Sequence, residues 1–85
     1  SESAMERGVR NARLVIAIIT AGPDDDSHYF RRPFCVKELR WAIDAGVKIQ
    51  PVIRVEDKQK IGEFLSVAPD DLKQLGSIDF IELYP

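Results

Sequence analysis

Apolar residues follow two different rhythms along this chain. From Leu14 to Ile19 (LVIAII) they are continuous and rich in β-branched side chains, which predicts a strand buried on both faces, as in a parallel sheet. Over residues 34–45 (FCVKELRWAIDA) they recur at helical spacing, with Cys35, Val36, Leu39, Ala42 and Ile43 on one face. Gly46 stands where such a helix closes in a left-handed conformation. Upstream, Ser3 and Glu6 have the spacing of a capping box, and Met5, Val9 and Ala12 follow at helical intervals, so a short helix is expected over 3–11. Val47–Val55 (VKIQPVIRV) is a second strand, in which Pro51 is awkward because proline cannot donate to a ladder and is usually pushed to edges or bulges. Ile61, Phe64 and Leu65 predict a helical segment within 56–67, Pro69 to Gly76 a further helical turn, and Ile78–Leu83 a third strand. Ala21–Pro33, with Gly, two Pro and three consecutive Asp, has no period and is expected to be a long loop. Strands alternating with helices imply parallel pairing and a layered α/β fold.

Composition narrows the picture further. Eighty-five residues hold one small domain, and a hydrophobic fraction of 45% beside a charged fraction of 31% is that of a folding, globular chain. Twelve basic and fourteen acidic residues give a net charge of -2, which offers no electrostatic footprint for nucleic acid or an anionic membrane. No apolar run approaches the roughly 20 residues of a membrane span. The single cysteine, Cys35, forbids an internal disulfide and fits a reducing compartment, with cytoplasm as the default. The opening SESAMERGVR has neither the pattern of a signal peptide nor an initial Met. It leads to the expectation that the chain is a piece of something longer.

The succession ARLVIAIIT, a long polar loop, FCVKELRWAIDAG, KIQPVI and GSIDFIEL resembles the C-terminal part of a TIR (Toll/interleukin-1 receptor) domain. In that family a buried strand ends in a Ser/Thr turn, a loop leads into an aromatic-Cys-x-x-Glu-Leu helix, and a Pro-containing strand follows. The resemblance covers nearly the whole chain and accounts for Pro51. It implies a partial flavodoxin-like, three-layer α/β fold: a three-stranded parallel sheet with flanking helices, in a single domain over 1–85 truncated at its N-terminus. The first strand, first helix and second strand of the family have no counterpart before Ser1. The strand at 14–19 is then expected to leave an unpaired apolar edge, open to pairing with another chain.

One residue of the helix stands out. Glu38 lies at the edge of the apolar face, and its neighbours one turn away are Phe34, Cys35, Trp41 and Ala42, so no Lys or Arg is spaced to pair with it. In family members that hydrolyse NAD, the Glu matching Cys35-x-x-Glu38-Leu39 is the catalytic carboxylate, supporting the positive charge that develops as the nicotinamide–ribose bond breaks. Open space beside Ala42 and Ala45 would suit that role. The plainer alternative sets Glu38 in the first helical turn, complementing the positive end of the helix. NAD+ thus enters as a substrate rather than a cofactor, and Trp41, on the flank of the helix, as a substrate-binding or interface residue.

Trp41, on the helix flank, either covers the sheet edge or contacts a partner, and Tyr29, Phe30, Arg31 and Arg32 form a basic and aromatic cluster that could anchor an interface. The plain alternative is a solvated loop. Asp24, Asp25 and Asp26 lack the alternation of a calcium loop, His28 has no co-ligand at zinc spacing and reads as an exposed loop residue, and Cys35 reads as a small buried hydrophobe, so no metal site is expected. Two functions follow: an interaction module that binds other TIR-like domains or its own copies, or an NAD+ glycohydrolase built on Glu38 once the missing part is supplied.

Overall fold

A computed structural model describes every residue from Ser1 to Pro85. Its elements are α1 (Glu2–Arg10), β1 (Leu14–Ile19), α2 (Pro33–Asp44), β2 (Lys48–Arg54), α3 (Ile61–Ser66) and β3 (Ile81–Leu83), with 3-10 turns at Asp25–Ser27, Tyr29–Arg31, Val55–Lys60 and Asp70–Ser77. The strands pair in the order β1-β2-β3, all parallel. The fold is therefore α/β, a three-stranded parallel sheet with flanking helices. No helix is long and apolar enough to cross a membrane.

The register separates the two faces of the sheet. Val15, Ala17 and Ile19 stand beside Ile49, Pro51 and Ile53, and this face receives Val36, Leu39 and Ala42 of α2, Phe64 of α3, and Leu72 and Leu75 of the Asp70–Ser77 turn. Every buried helix residue joins that one core. On the other face, Leu14, Ile16 and Ile18 run beside Lys48, Gln50 and Val52, with Ile81 next to Val52 and Leu83 next to Arg54. Nothing lies over it. Leu14, Ile16, Ile18, Ile81 and Leu83 are 44–61% exposed, and only Val52, in the middle of the patch, is buried. The continuous apolar run of β1 predicts burial on both faces, but β1 is buried on one alone, and of the three expected layers two are present.

Topology explains the bare face. Both connections run the same way across the sheet, β1 to β2 and β2 to β3, and parallel crossovers share one hand. Connections of one hand running in one direction deposit their helices on one side. The second side is reached only by a connection running the other way.

Pro51 lies in the central strand rather than at an edge. It pairs with Ala17 on one side, and on the other β3 begins only opposite Val52, so the missing N–H interrupts no β2–β3 ladder. The Gln50 amide fills the gap, donating at 2.9 Å to the carbonyls of both Pro51 and Asp79. The ladder with β3 is short, and the third strand covers Ile81–Leu83 in place of the whole Ile78–Leu83 segment.

The N-terminal helix is capped by Ser1, whose Oγ accepts from the Ala4 N–H, so Ser3 lies inside the helix and the expected Ser3–Glu6 capping box is absent. Glu6 instead pairs with Arg10 at 2.7 Å. No residue of α1 is buried; Val9 touches the core, and Arg10–Asp44 (2.7 Å) and Glu2–Lys37 (2.9 Å) tie the helix to α2. Exposed pairs of this kind contribute about 0–1 kcal/mol each, so α1 is the least firmly held helix.

Two glycines adopt the left-handed conformation, Gly22 (φ 74°) and Gly46 (φ 71°). Gly46 closes α2 as its place in the sequence predicts, and a Cβ there meets nothing within 4 Å, whereas a Cβ on Gly22 would overlap Cβ of Ser27. Gly46→Ala is expected to cost about 1–2 kcal/mol, the left-handed penalty alone, and Gly22→Ala more, because the Asp25–Ser27 turn must also shift. Urea unfolding midpoints check the order; equal losses would contradict it.

Candidate functional site

Pro33 opens α2 at the position where its missing N–H leaves no bond unmade. That start places Glu38 in the second turn, with no acidic residue in the first. A carboxylate feels the helix terminus only within the first turn, so the expected role of Glu38 as a helix-end charge does not hold. The side chain is half-buried and forms no ion pair. It sits near the Tyr29 phenol and the Cys35 thiol. Burial, then the neighbouring Cys35 and Glu38, push the phenol well above its ordinary range. Burial also raises the Cys35 thiol, opposed by Arg32 and helped by Glu38, which keeps the sulfur protonated and unreactive at neutral pH. None of the four surface cavities is lined by Glu38, and Ala42 is fully buried. The open space expected beside Glu38 is absent.

Trp41 lies elsewhere. Half-buried, it lines a groove of about 410 Å³ together with Arg10, Ile43, Asp44 and Gln74. Arg40 and Asp71 form another wall through two hydrogen bonds, Nε to Oδ2 at 2.9 Å and Nη2 to Oδ1 at 3.0 Å. Glu38 and Trp41 share a helix but not an opening.

The segment expected to be an exposed loop folds inward. Asp24 accepts from the Ser27 N–H and Oγ, capping the Asp25–Ser27 turn, which gives the acidic run a local structural use. His28, Tyr29 and Phe30 follow and are all buried, at 7%, 8% and 4% exposure. Tyr29 and Phe30 therefore belong to the core and cannot anchor an interface; of that cluster only Arg31 and Arg32 reach solvent, with Arg32 lying 5.7 Å over the Tyr29 ring. No group of His, Cys, Asp and Glu side chains is arranged to hold a metal ion.

His28 is the residue that pattern reasoning missed. Its ring stacks near Phe30 at 6.0 Å and meets Phe64 edge-on at 5.3 Å. The Phe30 N–H donates to Nδ1 at 3.2 Å, which leaves the proton of the neutral ring on Nε2, and that atom has no partner. Burial, then the charges of Arg31 and Arg32, hold the imidazole below its ordinary range against the opposing Asp25 and Glu63. The ring lines a cavity of about 280 Å³ at the carboxyl end of β1.

The largest unexplained feature is the bare sheet face, whose row Ile18–Val52–Ile81 is flanked by Leu14, Ile16 and Leu83. It continues to the outer edge of β1, which has no neighbouring strand. Apolar side chains on one side of an unpaired strand are the usual features of a docking surface. Comparison with protein-family models, with curated proteins and with solved structures returns no match to this chain.

The buried imidazole has a measurable consequence. As pH falls below the ordinary histidine value of 6.5, the unfolded chain binds a proton that folded His28 refuses. Stability is then expected to fall toward lower pH by at most about 1.4 kcal/mol per unit. Thermal unfolding between about pH 7 and pH 5 checks this: His28→Asn, which keeps an acceptor for the Phe30 N–H, should flatten the dependence, and an unchanged slope would contradict the assignment.

Proposed function

We propose that this chain is a TIR-like signalling module in the cytoplasm that works by protein–protein interaction, meeting other such domains or its own copies. The observation that supports this reading is the bare aliphatic face of the sheet, continuous with the free edge of β1. A parallel sheet is normally covered on both faces, so this surface gains stability when something lies on it. Arg31 and Arg32 remain exposed just ahead of α2 and supply a second, polar approach to a partner, while the half-buried Trp41 of α2 offers its own groove. Tyr29 and Phe30 support that approach from within the core.

The second reading is an NAD+ glycohydrolase using Glu38. Its support is specific: a half-buried carboxylate with no ion pair and no helix-terminus role. Nothing beside Glu38 in this chain is open enough to seat a nicotinamide riboside, so the reading needs residues from a longer polypeptide to shape a pocket.

NAD+ consumption separates the two. The chain, its Glu38→Ala variant, and the protein carrying whatever its reading frame encodes ahead of Ser1 are assayed side by side. The expected result is no Glu38-dependent turnover in any of them. Turnover that Glu38→Ala abolishes would replace the interaction reading with the enzymatic one.

A further inference from the structure

We infer that two copies of this chain stack their bare sheet faces about a twofold axis, strands antiparallel across the interface, with Lys48 of each copy meeting Glu56 of the other. The inference rests on the interaction reading and adds the occupant and the geometry.

The area fits. Leu14, Ile16, Ile18, Ile81 and Leu83 are each about half exposed and surround the buried Val52. Together they form an aliphatic patch on the order of 400 Å², within the range of functional patches on single proteins. Two such patches with their polar rims reach the roughly 1,000 Å² total that marks a specific interface. Sheets stack in this way at about 10 Å, with the strand directions of the two sheets nearly aligned. Within residues 1–85 both crossovers lie on the opposite side, so neither covers this face.

The charge pattern selects the second copy and its direction. Lys48, at the start of β2, is exposed and forms no ion pair. At the other end of β2, Arg54 is bound by both Asp57 (2.8 Å) and Glu56 (3.6 Å), leaving a net negative group in which Glu56 is exposed. With Lys48 at one end, beside the exposed Asp79, and a net negative group at the other, the face offers a basic side chain to an acidic group when turned end for end. Parallel stacking would set Lys48 against Lys48; antiparallel stacking brings each lysine to the acidic end of its partner. The twofold axis forms this contact twice.

Sedimentation velocity over about 5–200 µM tests the inference, with far-UV circular dichroism to confirm folding. The expected result is a species of twice the 9.6 kDa chain mass, reduced to monomer by Ile16→Lys and by Ile81→Lys. Lys48→Glu is expected to raise the dissociation constant roughly tenfold, two exposed ion pairs being lost, and adding Glu56→Lys to restore it. A monomeric wild-type chain at the highest concentration overturns the inference. So does an Ile81→Lys variant that associates like wild type, because β3 is remote from the β1 edge and that result assigns the contact to edge pairing. Should the lysine variants at positions 16 and 81 lose their fold, the charge pair decides: failure of the double variant to restore association also overturns it. None of these outcomes depends on NAD+ turnover, so the inference and the functional reading fail separately.

Discussion

All three strands run parallel, and both returns between them cross on the same side of the sheet. From that constraint follow the single core, the placement of every buried helix residue on it, and an aliphatic face without a cover. Adjacent parallel strands cannot be joined by a tight turn, so each link must carry a helix or turns long enough to come back. With both links advancing in the same direction, their apolar stripes converge on Ala17, Ile19, Ile49 and Ile53. The opposite row, Ile18–Val52–Ile81, is as apolar as the core row but has no layer to meet.

Much of this was legible in the sequence, and the limits are instructive. The β1 boundaries, the α2 helix with its closing Gly46, the parallel pairing and the α/β class follow from run length, helical period and turn chemistry. Burial of β1 on both faces does not, since LVIAII reads the same whether or not a second layer is present. The inward fold of His28, Tyr29 and Phe30 was hidden because three consecutive apolar-bodied residues between acidic and basic neighbours have no period. The only signal available was the aromatic pair itself, large side chains that a small core rarely leaves in water. At the site, the lack of an ion pair on Glu38 could be read from spacing alone. Its position beyond the first turn depended on where Pro33 starts the helix, and the separation of Glu38 from Trp41 depended on how α1 and the Asp70–Ser77 turn flank α2.

The two strongest candidates for function therefore differ in kind. Glu38 is a chemically suggestive residue without a chamber, held near two groups, Tyr29 and Cys35, that stay neutral. The sheet face is a surface without unusual chemistry whose exposure is energetically expensive. Hydrophobic burial contributes roughly 25 cal/mol per Å², so covering such a face offers a gross gain of several kcal/mol, against which the entropy lost on association is set. A lone carboxylate carries no comparable driving force.

Pro51 has a consequence for how the strands find one another. A strand whose core face is as regular as that of β2 (Ile49, Pro51, Ile53) could slide by two residues against β1 and β3 and keep every side chain on its proper face. Sliding so that β3 extends past Val52 would require an N–H that proline lacks, and the Gln50 amide already bridges to Asp79 at that point. The imino acid thus acts as an indexing mark, favouring one alignment of the strands and fixing where the third strand is permitted to begin.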